Sequence, residues 1–235
     1  MKRILTPLAL AAAAIVAVAA PSGASAVPEP LPPLPPASAF GAGAVNPWFP
    51  LVPGTTSTFN GTIDGVAAHE QFTVTGAVKV VDGVPANVIH DRLFLSSEDG
   101  QGRYLAEDTI DWYATANNGD VWYLGEATTE YDEQGHVVST DGSWQAGVGG
   151  ARAGIFMPAE PTVGAAYQQE SAVDAQDLFR ITTVDGDRVT TREWTPLEPG
   201  LVTKKVYESG TGQVLEDTVK GQAIEDLWLE LVAQT

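Results

Sequence analysis

The stretch Glu107-Asp108-Thr109-Ile110-Asp111-Trp112-Tyr113-Ala114-Thr115-Ala116-Asn117-Asn118-Gly119-Asp120-Val121-Trp122-Tyr123-Leu124-Gly125-Glu126 decides how this chain folds. Asn118-Gly119 stands between two β-prone runs. That is the strongest short-range hairpin signal, because a type I′ turn needs positive φ at both central residues. A hairpin centred on that pair opposes Tyr113 to Leu124, Asp111 to Glu126, Thr109 to Thr128 and Glu107 to Glu130. Four carboxylates then share one face with Tyr113 and Trp122. The other face carries Ile110, Trp112 and Ala114 opposite Val121, Tyr123 and Ala127, and its apolar character marks it as the core side. Like charges directly opposed across strands are unfavourable. Either the acidic face is a hydrated outer wall whose charges salt screens, or it faces a cavity. In a cavity the carboxylates would hold a hard cation through oxygen ligands or share protons at raised pKa.

Working outward, strand-like runs cover Ser57–Ile63, His69–Thr75, Ala77–Val81 and Pro85–Ser96 before the hairpin. Weaker or shorter runs follow at Val137–Trp144, Thr162–Val173, Leu178–Val184, Val189–Leu197, Leu201–Ser209 and Val214–Val219. Turn signals such as Asp64-Gly65, Asp82-Gly83, Asp185-Gly186 and Pro199-Gly200 separate them. The pattern predicts an all-β, single-domain antiparallel meander of about ten strands, a closed or half-closed barrel of lipocalin-like general shape. The two segments with helical character are short: Ala172–Leu178 and Ile224–Val232, the second equally readable as a final strand. Gly147–Gly154, followed by Ile155–Ala159, suits a loop folded over a barrel mouth, with Met157 as core filler. Glu-Asp-Thr occurs twice, at 107–109 and 216–218, too short a match to establish a repeat.

The chain begins with Lys2-Arg3, an apolar run from Ile4 to Ala20, and the small-residue site Ala24-Ser25-Ala26, which together read as a signal peptide over residues 1–26. Cleavage there leaves 209 of the 235 residues. Residues 27–45 read as a Pro/Ala-rich linker, extended through Val27–Pro36, and 46–235 as the β domain. No later stretch reaches the roughly 18–20 apolar residues of a spanning helix, so the expectation is a secreted, extracellular protein with no membrane insertion. N-terminal sequencing of exported protein checks this: Val27 is expected first, and an intact Met1 would contradict it. Of twelve basic residues, ten remain after Lys2 and Arg3 are removed, against thirty acidic, a net charge of about −20. That excludes nucleic acid, whose binding rests on Lys and Arg, and points to cations, basic partners or plain solubility. The absence of cysteine excludes disulfides, thiolate metal sites and cysteine nucleophiles.

Asp91 shares a face with Ile89, Leu93 and Leu95, where an unpaired carboxylate is costly. Arg92, Arg103 or Arg152 is its expected ion-pair partner. His69, His90 and His136 have no metal-ligand spacing, so surface or pairing roles are expected of each. No G-x-S-x-G, Walker or G-x-G-x-x-G motif occurs. Two opposed carboxylates about 5 Å apart would permit a retaining glycosidase.

Several segments together resemble a family of exported bacterial proteins. They are Asn46-Pro47-Trp48-Phe49-Pro50-Leu51-x-Pro53-Gly54-Thr55, Glu107-Asp108-Thr109-x-Asp111-Trp112-Tyr113-Ala114 and Gly119-x-Val121-Trp122-Tyr123-x-Gly125-Glu126, with Gly142-Ser143-Trp144, Gly154-Ile155-x-Met157-Pro158-Ala159, Tyr167-x-Gln169-Glu170 and Thr195–Gly200. The resemblance implies one domain starting near Asn46 and places Glu107, Asp108, Asp111 and Glu126 in the shared pattern. It implies no reaction. The functional expectation is therefore a secreted binding protein with an aromatic- and carboxylate-lined pocket. Glu107, Asp108, Asp111 and Glu126 are the candidate ligands of a divalent cation, Ca2+ first. Tyr113, Trp122, Trp144, Asp91 and Glu170 are the candidate contacts to a small polar or cationic ligand. The alternatives are an extracellular hydrolase using paired carboxylates and an interaction protein whose acidic face is only solvated.

Overall fold

A computed structural model of the chain describes residues 31–41 and 43–235. The predicted signal peptide and the first residues of the linker lie outside them. In order, the strands are β1 (Thr56–Ile63), β2 (Val66–Val81), β3 (Val84–Ser96), β4 (Arg103–Thr115), β5 (Val121–Tyr131), β6 (Val137–Ser139), β7 (Trp144–Gln145), β8 (Arg152–Met157), β9 (Ala166–Gln168), β10 (Glu170–Ser171), β11 (Leu178–Asp185), β12 (Arg188–Trp194), β13 (Val202–Glu208), β14 (Gly212–Lys220) and β15 (Leu227–Gln234). The all-β reading holds, with fifteen strands rather than about ten. Four of them, β6, β7, β9 and β10, have only two or three residues, too few for alternation or turn spacing to reveal. The segment Ala172–Leu178, read as helical, is a loop leading into β11, and of Ile224–Val232 only residues 227–232 take the strand alternative within β15, 224–226 belonging to the turn before it.

The sheet runs β10-β8-β5-β4-β3-β2-β1-β15-β14-β13-β12-β11-β9, antiparallel at every junction. Its two ends are the two halves of one extended segment, residues 166–171. The first half pairs with β11 and the second with β8, so this segment brings the ends together into a nearly closed barrel. Gly154 makes the approach possible, since a Cβ there would collide with the carbonyl oxygen of Gln168.

The central hairpin has the predicted register only in part. Glu107↔Glu130, Thr109↔Thr128 and Asp111↔Glu126 are opposed as expected, but Tyr113 lies opposite Tyr123 rather than Leu124. Within the turn Gly119 has positive φ and Asn118 does not. Ala116 N–H donates to Asp120 O (2.8 Å) and Gly119 N–H to Ala116 O (2.8 Å), which is a three-residue loop closed by a left-handed glycine rather than a type I′ turn. The extra loop residue shifts the pairing by one, and a bulge at Leu124-Gly125 (Gly125 φ 138°) restores it. True double-positive turns form instead at Asp64-Gly65 and Asp82-Gly83. The bulge has a consequence for the faces: because side chains alternate, it turns Tyr123 to the Asp111 side and Trp122 to the Trp112 side, the reverse of the sequence assignment.

Two apolar clusters occupy the interior. Phe59, Ile63, Ala68, Leu93, Leu95, Ala106, Leu227 and Leu229 form one; the larger includes Phe49, Val74, Ile89, Tyr113, Tyr123 and Phe156. Between them each wall strand crosses an acidic belt. On β2, Ala68 and Val74 flank Glu70; on β3, Leu93 and Ile89 flank Asp91; on β4, Glu107 to Asp111 separate Ala106 from Tyr113.

Ordered contacts extend upstream of Asn46. Leu31 and Phe40 are buried, Phe40 bridges to Ala116, and Arg152 donates to the carbonyl of Leu31 (3.0 Å). Asn46 itself is the pin. Its amide donates to Gly119 O (2.9 Å) and Met157 O (3.2 Å), while its Oδ1 accepts from the backbone N–H of Trp48 (2.9 Å) and Phe49 (3.1 Å). It thereby fixes Phe49 against Phe72, Tyr113 and Phe156. Asn46→Ala leaves these buried groups unpaired, a cost on the order of 2–4 kcal/mol. Scanning calorimetry should show a midpoint roughly 5–10 °C lower; an unchanged midpoint would refute the pinning role.

Candidate functional site

The acidic face of the hairpin points inward. It lines a cavity of about 210 Å³ together with side chains from nearly every wall. Eight carboxyl groups reach it: Glu70, Asp91, Glu107, Asp111, Glu126, Glu170, Asp177 and Glu216. Among the described residues one cation faces them, Lys205, already held by Glu193 (3.1 Å) and Glu216 (3.6 Å). A second chamber of about 90 Å³ shares Asp177, Lys205 and Glu216 with the first and adds Glu193, Glu198 and Glu225. Phe49, Phe59, Phe72, Tyr113, Tyr123 and Phe156 supply the aromatic part of the main cavity, with Tyr113 and Tyr123 stacked at 4.5 Å.

Local hydrogen bonds orient the carboxyls of the hairpin. The Tyr123 hydroxyl donates to Asp111 Oδ1 (2.7 Å), Thr109 to Glu107 Oε1 (2.9 Å) and Thr128 to Glu126 Oε2 (3.2 Å). Other carboxyl oxygens have no partner: Asp91 Oδ1, Glu107 Oε2, Glu170 Oε2 and Asp177 Oδ1. Glu170 is only 2 % exposed, and its neighbour Gln169, 4 % exposed, also leaves its amide nitrogen unpaired. The indole N–H of Trp144 lies near Glu170 and favours its ionised form, but outside hydrogen-bond geometry.

Burial among like charges raises every carboxyl of the belt. Desolvation holds Glu107 at about 7, against the pull of Thr109 and with a push from Glu130, Asp111 and Asp108. It holds Asp111 at about 7 against the Tyr123 hydrogen bond and Lys205. Glu70 and Asp177 rise to about 8, burial first, with Glu216 and Glu193 respectively the largest repulsions. Asp91, Glu126 and Glu170 are pushed well above the carboxylate range by burial and then by Glu70, Asp111 and Asp177. Glu70 and Asp91 act on one another, the contact favouring the ionised form of Glu70 and the protonated form of Asp91. Burial thus shifts the belt toward its protonated forms, which eases the like-charged pairs.

The expected site residues divide accordingly. Glu107, Asp111 and Glu126 meet in the cavity, as do Tyr113, Asp91 and Glu170. Asp108 does not: it points outward and pairs with His90. Trp122 lies on the outer side, where the bulge puts it, and Trp144 sits behind Tyr123 (5.3 Å, edge to face) rather than in the lining. Asp91 has none of its expected arginines; Arg92 donates to Gln71 (3.0 Å) and Arg152 to Leu31. Among the described residues no group of three or more His, Asp or Glu side chains is placed to hold a metal ion, and of the four expected ligands Asp108 is the one turned away from the other three. His69, His90 and His136 pair with Asn60, Asp108 and Asp132.

Glu70, Asp177, Lys205 and Glu216 were not read as site residues from sequence. A signal existed for Glu216. The two Glu-Asp-Thr copies are oriented alike: Glu107 and Glu216 point into the cavity, Asp108 and Asp217 point outward onto His90 and Lys204 (2.7 Å), and Thr109 and Thr218 are buried. No protein-family model matches the chain, and no curated protein or solved structure matches it either.

Proposed function

We propose that the barrel is a binding protein for a small organic cation, held by the inward carboxyls and the aromatic wall. The observation that carries this reading is the joint presence of Asp111 and Glu126 in a cavity whose walls offer unpaired carboxyl oxygens and a single, already occupied ammonium. Tyr113, Tyr123 and Phe156 add ring faces that attract a cation by about 0.5–2 kcal/mol. The volume limits the guest. It holds about seven waters at roughly 30 Å³ each, so the ligand has a similar number of heavy atoms, well short of an oligosaccharide. Entry of a cation favours the ionised carboxyls and expels protons, so uptake is linked to pH and strengthens as pH rises through about 7–8.

Calorimetric titration with butylammonium and guanidinium, alongside Ca2+ and butanediol, tests the reading. The two organic cations are expected to bind; Ca2+ and the diol are not. Asp111→Asn and Glu126→Gln should each weaken binding about tenfold or more, while Asp108→Asn, on the outer face, should leave it unchanged. Equal binding of the diol, or indifference to Asp111→Asn, would overturn it. The hydrolase alternative has one observation in its favour: Asp111 is raised only to about 7, with Lys205 favouring its ionised form, whereas Glu126 is pushed well above the carboxylate range, a separation of the kind an acid–nucleophile pair uses. Turnover of a small glycoside, lost in both variants, would favour it.

A further inference from the structure

The unpaired carboxyl oxygens are not scattered evenly. Asp91 Oδ1 and Glu107 Oε2 stand on β3 and β4, adjacent in the sheet; Glu170 Oε2 and Asp177 Oδ1 come from β10 and the end of the loop that follows it. In the strand order β10-β8-β5-β4-β3, Glu126 on β5 and Asp111 on β4, an opposed pair, lie between Glu170 on β10 and Asp91 on β3. Tyr113 adjoins that middle region, stacked on Tyr123. Two carboxyl poles thus flank a partly aromatic waist. The second chamber shows how this interior holds an ammonium group, with Lys205 Nζ between two carboxylates, Glu193 and Glu216.

We infer that the ligand is a short linear diammonium compound, one end held by Asp91 and Glu107, the other by Glu170 and Asp177, with its methylene chain passing the Tyr113–Tyr123 stack. This rests on the organic-cation reading above. Each pole supplies unsatisfied acceptors, and Glu170 is almost wholly enclosed, so a donor arriving there replaces a missing partner rather than a water shell. A monoammonium can satisfy one pole only and must leave the other as it was.

The test compares diaminobutane with butylamine by calorimetry on the intact protein. The diamine is expected to bind at least about tenfold tighter. Glu170→Gln and, independently, Glu107→Gln should each bring the diamine down to the monoamine level, with midpoints and circular dichroism confirming that both variants fold. Equal affinity of diamine and monoamine would overturn the two-pole inference while leaving the organic-cation reading intact. If neither amine binds, both fall. Retention of the diamine preference in both variants would place the second pole elsewhere and likewise refute the assignment.

Discussion

Raising the pH from about 5 to about 9 is expected to destabilise this protein markedly, by an amount set by its interior rather than its surface. The belt carboxyls have folded pKa values above their unfolded ones. Their contribution to stability is complete below the unfolded value near 4 and disappears as pH rises through the folded values, about 7 for Glu107 and Asp111 and about 8 for Glu70 and Asp177. Glu107 alone, held at about 7, represents a loss on the order of 3 kcal/mol over this range. For a chain of this length that lowers the thermal midpoint by roughly 6–12 °C. Surface repulsion among thirty acidic residues works in the same direction, but salt screens it. Two controls separate the contributions. High salt should leave most of the pH slope, and Glu107→Gln should flatten it and raise the midpoint at pH 9. A midpoint that is level from pH 5 to 9 in high salt would show that the belt is not buried.

Lys205→Met is the single substitution expected to do most damage. Burial lowers the pKa of this ammonium, but Glu193, Glu216 and Tyr207 more than reverse that, and the charge stays on. Removing it leaves Glu193 and Glu216 without their cation in a chamber that also contains Asp177. Breaking one side of a buried pair costs about 3–5 kcal/mol. The decisive comparison is the double variant Lys205→Met/Glu193→Gln, which removes charge from both sides and should recover a large part of that loss by chemical denaturation. If the double variant is no better than the single one, Lys205 contributes through packing and not through its charge.

Much of this arrangement was legible in the residues because alternation is a reliable guide on long strands. Glu70 with Phe72 and Val74, Asp91 with Leu93, and Asp111 opposite Glu126 all lie on the faces that period-two spacing assigns. What alternation could not reveal was a bulge. One extra residue at Leu124 exchanges Trp122 for Tyr123, and nothing local distinguishes Gly125 as a bulge from an ordinary strand glycine. The direction of the hairpin was also beyond local reading. The apolar face was the natural core choice, yet Trp112 is covered from outside by Lys79, whose ammonium lies 3.1 Å from its ring centre. Asp177 was invisible because it sits on an irregular loop. Lys205 was invisible because its role depends on Glu193 across the sheet, a pairing no sequence spacing encodes.

The measurement that tests the account most directly is a carboxyl-carbon NMR titration of Glu107 and Asp111 in the full-length domain. Enclosure in the barrel predicts midpoints near 7 for both. Midpoints for both at the ordinary carboxylate values near 4 would put the acidic face of the hairpin in solvent and contradict the internal site.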